Sequence, residues 1–420
     1  MKNALFWLVL LAIVYGLLEG LTAFGLKRLE QGALGRPHSY YPADTLSARH
    51  RAVLERMMVE KPPYGGFDAE LGWSIQPGGR IDHEQRRSGR KFSYIANAQG
   101  FRSNREYDHE PPTDMLRVAA FGDSFTHCDD VGYDDCWIAA MMARDRGLEV
   151  LNFGVGGYGP DQAYLRYQRL GQQFDPDVVL IGFMSENIRR SVNVYRPFYL
   201  PDGGQPMTKP RFRIVDGELV LLPNPMQSLA DYQRLLDDPA TTLAAFGEND
   251  MIYQVRYRSG PFDFSPTVRL TKLVSEKLRR RYIGDGIVDR GIYNTDSEAF
   301  AVVTAIMDAF YAEAIAHGSI PIIVLFAGPI DLNDYAAGKP RRYWPLVDYL
   351  DAQQYRYVDT LDPLVAGLGT DYEAHQLFVG HYSPLGNNIV AGAVVDYLES
   401  SGVRDEAAVA RQVAVAGPRD

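Results

Sequence analysis

A serine and a histidine occupy positions where the sequence could support acyl-transfer chemistry. Residues 121–126 read Phe-Gly-Asp-Ser-Phe-Thr, which places Ser124 directly after a short apolar run. Residues 380–387 read Gly-His-Tyr-Ser-Pro-Leu-Gly-Asn, which places His381 in a loop that leads into the last helical pattern. A serine whose proton a histidine removes can attack an ester carbonyl. The alternative is that Asp123 and Ser124 only cap a helix, because both residue types are common caps.

Two further segments supply hydrogen-bond donors for an oxyanion. Residues 152–162 read Asn-Phe-Gly-Val-Gly-Gly-Tyr-Gly-Pro-Asp-Gln, and their glycines expose backbone N–H groups; a plain tight turn is the alternative. Residues 185–187, Ser-Glu-Asn, end in the side-chain amide of Asn187. A nucleophile, two oxyanion donors and a late histidine are the parts that acyl transfer requires.

Strands that alternate with helices would bring these residues together. Apolar runs that end at a glycine or a polar residue are typical of buried parallel strands. Strand–helix alternation at this spacing indicates crossover connections and a parallel sheet, whose carboxyl edge binds ligands. The predicted strands are 116–121, 148–153, 177–183, 320–326 and 355–359, and the predicted helices between and after them are 161–173, 297–317, 343–354 and 385–400.

The chain is predicted to have four parts. Residues 1–30 form a membrane anchor, 31–115 a linker and a small β-rich lead-in, 116–400 the α/β domain, and 401–420 a mobile tail without a convincing core face. An insertion at about 192–294 interrupts the α/β domain, with a predicted hairpin at 211–222 and helical stretches at 228–246 and 266–281.

Residues 4–26 are almost wholly apolar and, at 1.5 Å per residue, span roughly 34 Å, enough for a hydrocarbon core of about 30 Å. Ala23-Phe24-Gly25 is a poor cleavage site, so we expect an uncleaved anchor. Lys27 and Arg28 follow the span, and the positive-inside rule read literally would put the domain in the cytoplasm. A short tail followed directly by a span is similar to a bacterial export signal-anchor, and on that ground we expect the domain outside.

Composition excludes several classes of protein. The net charge of -10 argues against a nucleic-acid partner, which would require a basic face. Two cysteines, Cys128 and Cys136, are too few for a disulfide framework; they could form one local bond in an oxidising compartment or remain free. The histidines show no metal-ligand spacing, and we expect no metal and no cofactor. The oligomeric state stays open.

These motifs together resemble the SGNH (GDSL-like) hydrolase superfamily. Gly122-Asp123-Ser124 matches its first motif, Gly157 its second, Asn187 its third, and His381 with the following Ser-Pro-x-Gly-Asn its fourth. Residues 97–102 also resemble a lead-in of bacterial members, and the resemblance covers roughly residues 66–400. It implies a flavodoxin-like three-layer α/β/α sandwich with a central parallel sheet, here preceded by one transmembrane helix. It also implies that Ser124 is the nucleophile, His381 the base, and Gly157 and Asn187 oxyanion donors.

The sequence departs from the family pattern in two places. Aligning the third motif by its strand could put Glu186 in the position of the asparagine. The family's aspartate normally precedes the histidine by two or three residues, where this chain has Phe378 and Val379. We therefore expect Nδ1 of His381 to be held by Glu373, by Asp371 or by a main-chain carbonyl, in that order. Both acids could also be ordinary solvated residues.

The expected reaction is hydrolysis or transfer of an acyl group through an acyl-enzyme on Ser124. An exported enzyme of this kind fits O-acetyl groups of a cell-surface or secreted glycan. A lipid esterase is one alternative, with an acyl groove from residues 251–264. A non-catalytic subunit of an envelope assembly is the other, and the missing aspartate favours it.

Overall fold

The computed structural model describes residues 2–30, 46–85, 89–201, 203–258, 260–368 and 376–416. Its strands are β1 Gly65–Asp68, β2 Gly72–Ile75, β3 Arg80–Glu84, β4 Lys91–Ile95, β5 Leu116–Phe121, β6 Leu148–Asn152, β7 Val178–Met184, β8 Arg211–Val215, β9 Glu218–Leu222, β10 Val288–Asp289, β11 Ile292–Tyr293, β12 Ile320–Phe326 and β13 Tyr357–Asp359. Its α-helices are α1 Lys2–Glu30, α2 Ala48–Val59, α3 Ser124–His127, α4 Trp137–Arg144, α5 Pro160–Leu170, α6 Arg196–Tyr199, α7 Gln233–Asp237, α8 Pro239–Gly247, α9 Met251–Arg256, α10 Pro266–Tyr282, α11 Glu298–Ala316, α12 Pro329–Ala336, α13 Trp344–Ala352, α14 Leu361–Gly367, α15 Pro384–Ser400 and α16 Val403–Ala416. Short 3-10 segments are Tyr133–Asp135, Gly171–Phe174, Asn187–Val192 and Leu229–Tyr232.

A five-stranded parallel sheet forms the centre of the α/β domain. Its spatial order is β6-β5-β7-β12-β13, and every neighbouring pair is parallel. Counted along the chain, this is the 2-1-3-4-5 order of a flavodoxin-like fold. The predicted fold class is therefore confirmed, and so are the five predicted strands to within a few residues.

Helices cover both faces of the sheet, because its strands bury side chains on both sides. Along β5, Val118 and Ala120 pack with helices α4, α14 and α15, whereas Ala119 and Phe121 pack with α5, α11 and α13. Successive residues of a strand point to opposite faces, so each apolar run contributes to two separate cores.

The order of the strands reverses between β5 and β7. The chain moves from β5 outward to β6 and then returns to pair β7 with the other side of β5. A crevice opens at such a switch point, outside the carboxyl ends of the strands. The loops after β5, β6 and β7 all end at this crevice, and they carry Ser124, Gly157 and Asn187 respectively.

The lead-in and the insertion pack together over the loop that follows β6. The lead-in forms two antiparallel hairpins, β1–β2 and β3–β4. In the insertion, the hairpin predicted around Asp216-Gly217 is confirmed as β8–β9. Trp73 of the lead-in, Tyr158 of the β6 loop and Phe198 near the start of the insertion belong to one buried apolar cluster. The two additions thus form a shared lid beside the crevice.

The prediction of a mobile tail is wrong for residues 403–416. These residues form α16, which buries Val403 and Ala407 against the first core. Arg411 of this helix pairs with Asp177, the residue before β7. Val403 and Ala407 are spaced four residues apart, which is enough for one apolar helical face.

Cys128 and Cys136 form a disulfide, with their Cα atoms 5.5 Å apart. Cys128 follows α3 and Cys136 precedes α4, so the bond closes the short loop that begins four residues after Ser124. Both cysteines are buried.

Two described helices are long and apolar enough to cross a membrane by length and composition alone. One is α11, which is largely buried in the second core. The other lies at the N-terminus, Asn3–Leu29, and most of its large apolar side chains are exposed. A membrane anchor and a signal sequence both have this character.

Candidate active site

Ser124 is the first residue of α3, immediately after the β5 strand turns into the crevice. Asp123 caps the helix, because its Oδ1 accepts the backbone N–H of Phe125 at 2.9 Å. A side chain at Gly122 would lie 2.1 Å from Oγ1 of Thr126, so the turn requires glycine. The N–H of Ser124 donates to no other described residue. It is therefore available to a ligand.

His381 lies in the loop before α15 and is oriented by a carboxylate. Its Nδ1 is 2.7 Å from Oδ2 of Asp130, and its backbone N–H donates to the same oxygen at 3.1 Å. Its ring lies 5.1 Å, centroid to centroid, from the ring of Phe125, the neighbour of Ser124. Because Nδ1 carries the hydrogen, Nε2 is left as the proton acceptor.

The partner of Nδ1 is therefore Asp130, which the sequence analysis did not consider. Glu373 and Asp371, the two carboxylates named from the sequence, lie outside the described residues. Asp130 comes six residues after Ser124, whereas the family pattern directs attention to the residues just before the histidine. Gly380 makes the contact possible: its φ is +122°, and a side chain there would lie 2.3 Å from Oδ2 of Asp130.

The environment of His381 favours the charged imidazole. Burial opposes ionisation, but the hydrogen bond that Nδ1 donates to Asp130 and the negative charge of Asp129 outweigh it, so the pKa of His381 lies above its ordinary value. No hydrogen bond joins Ser124 Oγ to His381 in the structure. Catalytic hydrogen bonds are often long in an unliganded site and tighten when substrate binds.

A second histidine lies close by but has both ring nitrogens occupied. His127 contacts Oδ1 of Asp129 through Nδ1 at 2.5 Å, and the hydroxyl of Tyr64 lies 2.7 Å from its Nε2. Burial, the largest cause, lowers the pKa of His127. A buried, fully bonded imidazole holds the loop after α3 in place, and it has no free nitrogen to accept a proton from Ser124.

Gly157 presents a backbone N–H at the end of the loop after β6. Its φ is +83°, and a side chain would lie 2.8 Å from Cζ of Arg196, so only glycine fits. Its N–H has no acceptor among the described residues. The carbonyl of the same peptide unit, Gly156 O, accepts the indole N–H of Trp73 at 3.0 Å. On the other side, Arg196 donates to the carbonyl of Gly157 at 2.7 Å.

Asn187 lies across the crevice at the end of β7. Its Nδ2 donates to Oδ2 of Asp123 at 3.1 Å, which connects it directly to the residue before Ser124. Glu186 instead pairs with Arg190, and Arg190 also donates to Asp123 at 3.2 Å. The carboxylate of Glu186 thus has a partner of its own, and the amide is the group that reaches the serine turn. The amide Nδ2 has a second hydrogen that can donate to a ligand.

Asp123 joins the candidate site residues, although the sequence motif suggested only a helix cap for it. One carboxylate oxygen caps α3, and the other accepts from Asn187 and Arg190. It is almost fully buried, so these bonds replace its hydration. Its position directly before Ser124 was the available signal. Asp123 holds the serine turn and the asparagine in one fixed arrangement.

A cavity of about 340 Å³ borders the loop after β6 at Gly156. Side chains of the lead-in form most of its wall, including Tyr64, Trp73 and Tyr94. The wall of this cavity also includes Asp129, the residue before Asp130. Groups of three or more potential metal ligands do not occur in the described part of the chain.

No protein-family model and no curated protein sequence matches the chain. Among solved structures, the fold is similar to a member of the lipolytic protein G-D-S-L family from Veillonella parvula, with 12% identity, a TM-score of 0.34, and coverage of 68% of this chain and 99% of that one. An acetylxylan esterase from Geobacillus stearothermophilus, solved as a catalytic mutant, has 14% identity, a TM-score of 0.32, and coverage of 67% and 93%. An acetyl xylan esterase has 12% identity, a TM-score of 0.33, and coverage of 67% and 100%. At such low identities and TM-scores, nothing about the activity of this chain follows from the likeness.

Proposed function

We propose that this chain is a serine ester hydrolase or acyl transferase with Ser124 as nucleophile and His381 as base. The hydrogen bond between His381 and Asp130 is the observation that carries this proposal. A half-buried pair of this kind fixes the tautomer whose Nε2 can accept a proton, and it stabilises the imidazolium that forms. The ring of His381 packs against Phe125, the neighbour of Ser124, and the N–H groups of Ser124 and Gly157 have no acceptor among the described residues.

The reaction proceeds in two steps. Ser124 Oγ attacks the ester carbonyl while Nε2 of His381 takes its proton, and the imidazolium then gives that proton to the departing alcohol. Water or a sugar hydroxyl next attacks the acyl-enzyme, losing its proton to His381, and Ser124 leaves protonated. In each step the oxyanion accepts hydrogen bonds from the amides of Ser124 and Gly157 and from Nδ2 of Asn187.

A glycan O-acetyl group is the preferred substrate among the alternatives. The main ground for a non-catalytic role was the lack of a carboxylate near His381, and Asp130 supplies one. The groove for a long acyl chain was expected from residues 251–264. In that segment Phe262 and Phe264 are 65% and 76% exposed and lie next to the start of α10, which contacts α1. Their position favours membrane contact over an acyl groove.

We further propose that the chain stays anchored and that the domain lies outside the cytoplasm. The carboxylate of Glu19, in the apolar helix α1, accepts from Oγ of Ser265 at 2.7 Å, and Oγ1 of Thr22 is 3.1 Å from that of Thr267. Cleavage after α1 would remove these contacts. The Cys128–Cys136 disulfide is typical of proteins in an oxidising compartment.

The test is covalent labelling followed by a comparison of esters. A fluorophosphonate probe should label the full chain at Ser124 and should not label Ser124→Ala. Turnover of p-nitrophenyl acetate should exceed that of the long-chain ester. Labelling with faster turnover of the long-chain ester would make the protein a lipid esterase. Failure of Ser124 to react, with the fold intact by circular dichroism, would favour the non-catalytic alternative.

A further inference from the structure

A strongly basic cavity of about 550 Å³ lies between the C-terminal end of α10 and the loop after α12. Two acidic side chains, Asp285 and Asp334, line it together with six basic ones. The excess of four positive charges contrasts with the net charge of -10 for the whole chain. The basic residues that line it are Arg189, Arg280, Arg281, Arg290, Lys339 and Arg342.

The two acids are already engaged by three of these bases. Asp285 pairs with Arg189 at 2.9 Å, and Asp334 pairs with Lys339 at 2.9 Å and with Arg342 at 3.1 Å. The other three, which are arginines, form no ion pair within the described ranges: Arg280, Arg281 and Arg290. They are the groups available to an anion.

The three arginines are exposed, and they gather in a cavity whose two acids are already paired with other bases. Burial, followed by the nearby charge of Arg256, lowers the pKa of Arg280 from its ordinary value. Like charges gathered in one cavity repel one another, and a bound anion would relieve this repulsion. Arginine suits carboxylate and phosphate groups because its planar fork donates two parallel hydrogen bonds.

The cavity shares a structural segment with the candidate active site. Arg189 belongs to the 3-10 segment Asn187–Val192 and follows the oxyanion asparagine by two residues. Arg190, the next residue, donates to Asp123. Ser185, at the end of β7, donates to Asp331 of α12 at 2.8 Å, which ties the other cavity wall to the same strand end. The cavity and the candidate active site are therefore built on adjoining residues of the same strand end.

We propose that this cavity binds carboxylate groups of an acidic glycan whose neighbouring O-acyl group enters the site at Ser124. Its role as a substrate subsite rests on the esterase activity proposed above. A volume of about 550 Å³ lies in the usual range for small-molecule sites. The cavity supplies affinity for the charged chain, and Ser124 acts on the uncharged ester.

A lipid headgroup could offer similar anionic chemistry, but the position of the cavity favours a glycan. The start of α10 contacts α1 near Glu19, and the cavity lies at the other end of this helix of 17 residues. At 1.5 Å per residue the two ends are about 26 Å apart. Ser265 contacts Glu19, and two residues further on Thr267 contacts Thr22. The start of α10 therefore runs parallel to α1, and α10 leads away from the apolar middle of α1.

The test measures binding with the full-length Ser124→Ala protein, which prevents turnover. By calorimetry, tri-galacturonate should bind, and neutral tri-galactose should bind at least tenfold more weakly. Added salt should lower the affinity for tri-galacturonate. The double variant Arg281→Gln/Arg290→Gln should lose at least tenfold in affinity. The matched control is Lys277→Gln/Lys61→Gln, which removes two exposed charges outside the cavity and should bind normally.

Equal affinity for the charged and neutral sugars would overturn the proposal of a subsite. So would an arginine variant that keeps its full affinity for tri-galacturonate. The protein could instead bind phosphatidylglycerol nanodiscs through these arginines and fail to bind tri-galacturonate. That result would show that the cavity binds a lipid headgroup and not a glycan. With Ser124 present, the control variant Lys277→Gln/Lys61→Gln should hydrolyse p-nitrophenyl acetate normally. Tri-galacturonate binding in a protein that hydrolyses no ester would reject the esterase proposal and leave only an acidic-glycan binding site.

Discussion

Nδ1 of His381 lies 2.7 Å from Oδ2 of Asp130, although 251 positions separate the two residues in the chain. The same oxygen also accepts the backbone N–H of His381. One carboxylate therefore fixes both the loop and the ring, and it leaves Nε2 directed elsewhere. A triad of Ser124, His381 and Asp130 follows if the serine is the nucleophile.

Asp130→Asn should lower kcat by about 10³–10⁴-fold, because an amide can stabilise the wrong imidazole tautomer and cannot stabilise its charge. Steady-state hydrolysis of p-nitrophenyl acetate measures this. Glu373→Gln and Asp371→Asn serve as controls and should change kcat by no more than about twofold. The assignment of Asp130 fails if Glu373→Gln carries the large loss instead.

The activity should fall on acidification with a midpoint above the ordinary imidazole pKa of about 6.5. Asp130 and Asp129 raise the pKa of His381, and the base works only when it is neutral. Lowering the pH through this raised pKa protonates His381 and stops the attack of Ser124. A pH profile of kcat/KM measures the midpoint. The residual activity of Asp130→Asn should have a lower midpoint, and an unchanged one would show that another group titrates.

Asn187→Ala should lower kcat by about 10²–10³-fold with little change in the melting temperature, because it removes one preorganised donor. Glu186→Ala is the control, since the carboxylate of Glu186 pairs with Arg190. Kinetics and thermal unfolding of both variants are compared with the parent protein. A large loss in Glu186→Ala alone would mean that the third motif is shifted by one residue.

Trp73→Phe should lower kcat by about tenfold at constant KM, the effect of about 1.4 kcal/mol that one lost hydrogen bond can have. The indole N–H holds the carbonyl of Gly156, whose peptide unit carries the N–H of Gly157. Tyr158→Phe is the matched control: it removes a hydrogen bond to the backbone of Trp73 in the same cluster but leaves the indole contact. Equal loss of kcat in both variants would indicate general loosening of the lid rather than positioning of the oxyanion donor.

Phe264 should enter the membrane interface if α1 remains as an anchor. Glu19, which the start of α10 contacts, lies seven residues before Leu26, or about 10 Å inside the apolar stretch. With the native cysteines bonded, an NBD fluorophore on Phe264→Cys reports this position in proteoliposomes. Its emission should shift to the blue and be quenched by doxyl lipids. The control label on Val59→Cys should behave as in water, and the same behaviour at position 264 would exclude insertion.

The residues of the crevice could be predicted because strand ends are local features of sequence. Each apolar run that ends at a glycine or a polar residue marks the carboxyl edge of a strand, and parallel strands bring those edges together. Ser124, Gly157 and Asn187 were identified in this way, and β5, β6 and β7 do place them at one crevice. Glycine conformation is equally local: the loop at Gly157 needs a positive φ, and the sequence supplies the glycine.

The partners of those residues depended on the tertiary structure. Asp130 reaches His381 because the loop after α3, held by the disulfide and the buried His127, meets the loop before α15. Trp73 reaches Gly156 only because the lead-in packs over the α/β domain. Contacts across such separations leave no periodic pattern in a single chain, since loop closure permits many arrangements and only the packing of the core selects one. The sequence alone therefore determined the strands, the turns and the candidate nucleophile. Folding decided which carboxylate serves the histidine, which groups hold the oxyanion loop, and that the arginines of the insertion gather in one cavity.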